Sequence, residues 1–194
     1  MKYAIIGWGS LIWDLDDLAP KVAGDWLNSA GPRLPLEFSR ISPKRLNSLV
    51  VVVDAENGSP CPTHVIASQA TTIDQVIMDL AARERTTATG IGAVCLSSGH
   101  SQASDPRVAD QVAAWCQEAG WTGAAWTDLP INFEKETGTA FALDAAVAYL
   151  RTLTGASLAE ALRYINSAPA ATDTPLRRRL AGDPWWQAAS ASRS

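Results

Sequence analysis

The chain has 194 residues, 47 % hydrophobic and only 19 % charged, and 16 Lys and Arg against 20 Asp and Glu leave a net charge of −4. That length buries a core in one ordinary-sized domain, the sparse charge excludes disorder, and a weakly acidic chain without a basic stripe excludes the usual nucleic-acid partner. No apolar run approaches the roughly 20 residues of a membrane-spanning helix.

In chain order, Tyr3–Ile6 is apolar and β-prone and predicts a strand ending at Gly7. It is broken there and followed by Asp14, Asp16 and Asp17, unlike a signal peptide. Gly7-Trp8-Gly9-Ser10-Leu11-Ile12-Trp13 reads as a tight loop, and residues 14–35 as irregular or shortly helical. Strands are expected over Glu37–Ser42, Leu49–Val53 and His64–Ala67, the last two paired as a hairpin about the Asn57–Pro60 turn. The unbroken apolarity of Leu49–Val53 predicts burial on both faces. Thr72 caps a helix over Ile73–Arg85, a strand follows at Ile91–Leu96, and Ser104-Asp105-Pro106 starts a helix that ends at Gly120. A strand over Trp121–Thr127 and helices over 139–154 and 157–167 complete the pattern. Strands first and helices last is an α+β arrangement in a single domain, residues 1–194, with 139–194 a mostly helical C-terminal part.

Cys61, Cys95 and Cys116 are an odd, scattered set, so a reducing cytoplasm is expected and the latter two read as inert core thiols. Cys61 and His64 have C-x-x-H spacing, but no second pair completes a zinc site, and they read as unrelated loop residues. Eight Trp against three Tyr and three Phe is the compositional oddity. Trp suits pocket walls as well as cores, since it brings large area and one N–H donor. Trp26, Trp115, Trp121 and Trp126 read as packing. Trp185-Trp186 could cover a groove, make a homodimer contact or dock on the core. Arg177–Arg179 reads as a solvated helix end, and Asp128 and Asn132 as loop residues near a pocket.

Two features carry chemistry. Gly7-x-Gly9 lacks the third glycine of a dinucleotide fingerprint, for Ile12 stands there and three Asp follow. The surviving uses are a small-anion loop, with converging N–H groups, the Ser10 hydroxyl and Trp8 and Trp13 as walls, or a tight turn whose glycines meet steric demands. On a helical wheel Ile73, Ile77, Leu80 and Glu84 share one apolar stripe, with Asp74, Gln75 and Asp79 elsewhere. Glu84 is therefore expected to point inward at the negative end of its helix. Burial and dipole both disfavour its charge there and suit proton transfer, unless Arg83 or Arg85 pairs with it. A solvated Glu on a fraying last turn is the alternative.

Together the loop and the Arg83-Glu84 pair resemble the γ-glutamylcyclotransferase superfamily, closest to its ChaC-like, glutathione-specific branch. That branch reads G-Y-G-S-L-I-W in the loop and has an R-E pair whose Glu is catalytic. Phe38-Ser39-Arg40 and Val50–Val53 fit the same order of elements, and the resemblance covers residues 3–96. Trp8 stands where the family has Tyr, and Arg85–Gly90 runs where the branch has a Gly-Tyr. The resemblance implies a small mixed β-barrel with surrounding helices. It also implies that Gly7, Trp8, Gly9, Ser10 and Leu11 bind the γ-glutamyl group and that Glu84 is the general base. The substrate α-amine would attack the γ-carbonyl, close 5-oxoproline and release the amine, with no metal or organic cofactor. A non-catalytic γ-glutamyl or small-carboxylate binding protein on the same fold is the second expectation.

Overall fold

The apolar N-terminal run forms the middle of a sheet. Tyr3–Gly7 (β1) is buried at every position and pairs antiparallel with His64–Ser68 (β6) on one side and parallel with Gly123–Thr127 (β9) on the other. Val22–Leu27 (β2) extends the sheet beyond β6, and Ile91–Cys95 (β7) and His100–Gln102 (β8) extend it beyond β9. The order is β2-β6-β1-β9-β7-β8. A mixed sheet of this kind needs apolar cover. Ile73–Glu84 (α1) supplies it on the face carrying Tyr3, Ile5, Ile66, Ala93, Cys95 and Ala125, through Ile73, Val76, Ile77, Leu80 and Ala81. Pro106–Ala119 (α2) packs on β7, β8 and β9. Thr72 caps α1 by accepting the Gln75 N–H at 3.3 Å, and Asp105 caps α2 by accepting that of Arg107 at 2.9 Å. Gly120 takes the left-handed conformation that ends α2, as its sequence position predicts.

The computed structural model describes residues 1–192, and the chain divides into two compact units. The first contains the six-stranded sheet. The second joins Pro35–Cys61 to the chain from Ile131 onward. In the second unit the order is β4-β3-β5, from Arg33–Ser42 (β3), Ser48–Val53 (β4) and Ser59–Pro62 (β5). It also holds Phe133–Thr137 (α3), Leu143–Thr152 (α4), Gly155–Ser167 (α5), Pro175–Ala181 (α6) and Pro184–Ala191 (α7). β4 is buried from Ser48 to Val52, and α5 packs on it. Glu37 is fully buried because it serves backbone donors: it accepts the Phe38 N–H at 2.7 Å and the Leu176 N–H at 3.0 Å. Burial still pushes its carboxyl above the usual carboxylate range.

The α+β class matches expectation, but strand partners do not. β4 pairs with β3, and β6 with β1 and β2, so the hairpin expected between residues 49–53 and 64–67 is not formed. Chain reversal occurs instead at Pro43–Asn47, where Leu46 and Asn47 adopt positive φ. Residues 14–35 hold a six-residue 3-10 turn, Asp16–Lys21, and β2, an edge strand exposed enough to lack apolar alternation. The helices expected over 139–154 and 157–167 form as Leu143–Thr152 (α4) and Gly155–Ser167 (α5). Cys61 and His64 lie in strands rather than a loop. Among the described residues both sheets are open in their pairing, and no helix is long and apolar enough to cross a membrane.

One row across the first sheet sets Cys95 apart from the other two cysteines. Tyr3 and Cys95 both stand opposite Gly123, whose missing side chain lets the Tyr3 hydroxyl come within 3.8 Å of Cys95 Sγ. Burial works against thiolate formation, yet the Ser97 and Ser98 hydroxyls, the Ser98 N–H and the Tyr3 hydroxyl outweigh it and bring the thiol down to about 7. Burial pushes Cys116 up to about 12 and also raises Cys61. Iodoacetamide labelling followed by peptide mass spectrometry is therefore expected to mark Cys95 first. Its rate should rise as pH increases through about 7, since only the thiolate attacks. Equal labelling of the three cysteines in the folded protein would contradict this.

Candidate active site

The loop of interest begins where β1 ends. A side chain at Gly7 would place its Cβ 2.8 Å from Cη2 of Trp26 and 3.0 Å from Cδ1 of Ile12. Glycine lets the ends of these two side chains pack closely there. Trp26, read from sequence as packing, lies directly against the loop's first residue. The chain then makes a 3-10 turn over Ser10–Ile12. Ile12 donates its N–H to Gly9 O at 3.0 Å, and Trp13 and Asp14 donate theirs to Ser10 O at 3.3 and 3.0 Å. The N–H groups of Gly9, Ser10 and Leu11 have no acceptor among the described residues, as expected of the open end of such a turn. Trp8, Ser10 and Leu11 are all buried, while Trp13 is half-buried.

The helix end supplies the charges. α1 stops at Glu84 because Arg85 turns into the left-handed region, φ 55°, and donates its N–H to Ala82 O at 3.1 Å. Arg83 is the buried member of the pair, with a side chain 2 % exposed against 14 % for Glu84. The wheel puts Glu84 on the inward stripe, with a solvated last-turn Glu as the alternative. Instead the guanidinium is the more deeply buried of the two, and the carboxylate is the more exposed. Arg83 Nη1 donates to Glu84 Oε1 at 2.6 Å. Its Nη2 donates to Ser10 Oγ at 3.4 Å and to the carbonyl of Asp14. One buried guanidinium thus spans from the predicted base to the predicted binding loop. Asp79, placed by the wheel away from the stripe, is also buried, and accepts from Lys21 Nζ and Gln75 Nε2, each at 2.8 Å.

His64, weighed from sequence only for its C-x-x-H spacing with Cys61, lies beside the end of β1. It stands opposite Gly7 in the β1–β6 ladder and is 4 % exposed. Its Nδ1 lies 3.0 Å from Asn28 Oδ1, and burial lowers its pKa, favouring the neutral ring. Its Nε2, and Nε1 of Trp26, are buried with no partner among the described residues. The only sequence signal was a histidine paired by register with a loop glycine, which the hairpin expectation concealed.

The remaining candidates are structural. Asp128 accepts from the Ser104 N–H at 2.6 Å and its hydroxyl at 2.9 Å, and Asn132 bonds both the N–H and the carbonyl of Ile41. Arg177 donates to the carbonyls of Pro169 and Thr172, while Arg178 pairs with Asp173. Trp186 is buried within the second unit, and Arg151 lies 5.3 Å above the Trp185 ring. No group of three or more His, Cys, Asp or Glu side chains able to hold a metal occurs among the described residues. Comparison with protein-family models, with curated proteins and with solved structures finds no match.

A carboxylate, a guanidinium, a hydroxyl and unfilled backbone donors in one place can hold an oxygen that gains negative charge while a proton moves.

Proposed function

We propose that this chain is a γ-glutamylcyclotransferase-like enzyme that cyclises a γ-glutamyl amine or peptide to 5-oxoproline. The observation that carries the proposal is the Arg83 guanidinium, which joins Glu84 to Ser10 and to the backbone of Asp14. Glu84 takes a proton from the substrate α-amine. The amine nitrogen then attacks the γ-carbonyl carbon, forming the ring C–N bond. The open donors at Gly9, Ser10 and Leu11 suit the carbonyl oxygen as it gains charge, with Gly7 and Trp8 shaping the loop beside them. The amide C–N bond breaks, and Glu84 returns the proton to the departing amine. Nucleophile and electrophile belong to one molecule, so the protein has only to fold the chain and move one proton. The small mixed barrel belongs to the same reading, which the α+β class supports only at the coarser level.

A non-catalytic γ-glutamyl binding protein is the second reading. The 2.6 Å ion pair favours it, since it already occupies a carboxylate oxygen that a base would offer to the substrate amine. Chromatographic detection of 5-oxoproline from a panel of γ-glutamyl amines and peptides tests both. Release from at least one compound is expected. Calorimetric binding without release would leave the second reading, and neither binding nor release would end both.

A further inference from the structure

The second unit carries a cleft of about 520 Å³ that the proposed reaction does not use, since Ser10 and Glu84 belong to the first. The cleft lies between helices. α6 contributes Arg177, Leu180 and Ala181, which at i, i+3 and i+4 share one helix face. Ile165 and Asn166 come from α5, and Trp186 from α7. The buried members of the wall, Ile165, Leu180 and Trp186, are apolar, and a space of this size takes a small organic molecule. No acidic side chain lines it among the described residues.

Arg177 brings the charge. The sequence predicts a solvated arginine, yet the side chain is half-buried. Its Nη1 donates to the carbonyls of Pro169 at 2.6 Å and Thr172 at 3.0 Å. Those bonds hold the guanidinium in place but supply no full countercharge. Arg178 and Arg179 pair with Asp173 and Asp144, whereas no carboxylate pairs with Arg177 among the described residues. Burial disfavours its charge more than Asp173 and Cys61 favour it, so its pKa is lowered. A partly desolvated cation beside an apolar wall is half of an ion pair.

We infer that this cleft binds a small carboxylic acid with an apolar body, the carboxylate on the Arg177 guanidinium and the body against Ile165, Leu180 and Trp186. A neutral apolar molecule leaves the cation unpaired. An inorganic anion leaves the apolar wall in water. A single negative charge matches the single arginine, which a doubly charged phosphate would exceed.

The test compares 4-phenylbutyrate with 4-phenylbutanol, which share a body and differ in the charged group. NMR shift mapping on the full chain is expected to place 4-phenylbutyrate on Ile165, Leu180 and Trp186. It should bind about tenfold tighter than the alcohol, and Arg177→Gln should erase that difference. Because Arg177→Gln also loses two carbonyl bonds, Ala181→Trp gives a second variant. Ala181 is exposed at the cleft, so a large ring there should block both probes in a protein that circular dichroism shows to be folded. Equal affinity for acid and alcohol, shifts confined to the first unit, no binding of either probe, or full binding by Ala181→Trp would overturn the inference.

Discussion

Glu84→Gln is expected to reduce 5-oxoproline release by about two to four orders of magnitude, the range for loss of a general base. The amide keeps the size of the side chain and can still accept from Arg83 Nη1, so fold and ligand affinity should change little. The loss should fall on kcat rather than KM, because the proton is moved only as the reaction proceeds. The measurement is initial rate against substrate for wild type and variant, with circular dichroism as the folding control. Equal kcat in the two proteins would remove Glu84 from the chemistry. A large loss of binding in the variant would instead make Glu84 a ligand-holding group.

The second large effect concerns stability. Gly123 in β9 lies between Tyr3 and Cys95, and an added Cβ would stand 2.3 Å from the carbonyl oxygen of Val94 and 3.0 Å from Cα of Cys95. Both are backbone atoms in a central strand pairing, so a side-chain rotation cannot relieve the clash. Gly123→Ala is expected to cost about 3 kcal/mol, the upper end for overpacking. For a chain of this size that lowers Tm by on the order of 10 °C. Gly99→Ala is the contrast. Gly99 has φ +71° and open space around it, so only the left-handed backbone is penalised, by about 1 kcal/mol. Thermal unfolding of both variants beside wild type separates crowding from backbone preference. If Gly123→Ala melts with wild type, the close approach across β9 is wrong.

Elements defined by local pattern were legible in the sequence. The β-branched run at β4, the capped and periodic α1 and the Asp105-Pro106 start with its Gly120 stop each carry their signal within a few residues. Strand partnership was not, because β6 resembles a hairpin mate of β4 in spacing while its true neighbours are β1 and β2. The short edge strands β5 and β8, three or four residues each, carry too little periodicity to be seen. At the site, the loop and the Arg-Glu pair were visible as residues, and which of the two is buried was not. A wheel assigns a face by Cα direction, but a long guanidinium stem can bury itself where the wheel places a neighbour. Trp26 reads from sequence only as packing and His64 only as half of a C-x-x-H spacing, because their place near Gly7 depends on strand register and packing, a long-range fact.

The second unit also imposes an order of events on a ribosome. Its β3–β4 hairpin emerges early, but the partners that complete it emerge last: Glu37 receives the N–H of Leu176 from 139 residues downstream. Asn132 and Tyr149, which bond Ile41 and Asn47, arrive only after the first unit has been synthesised through Pro130. The nascent hairpin, with its run of valines, therefore waits unsatisfied while a whole sheet is made behind it. Such a segment is a natural client for a holding chaperone and the place where a stalled or truncated chain would aggregate first.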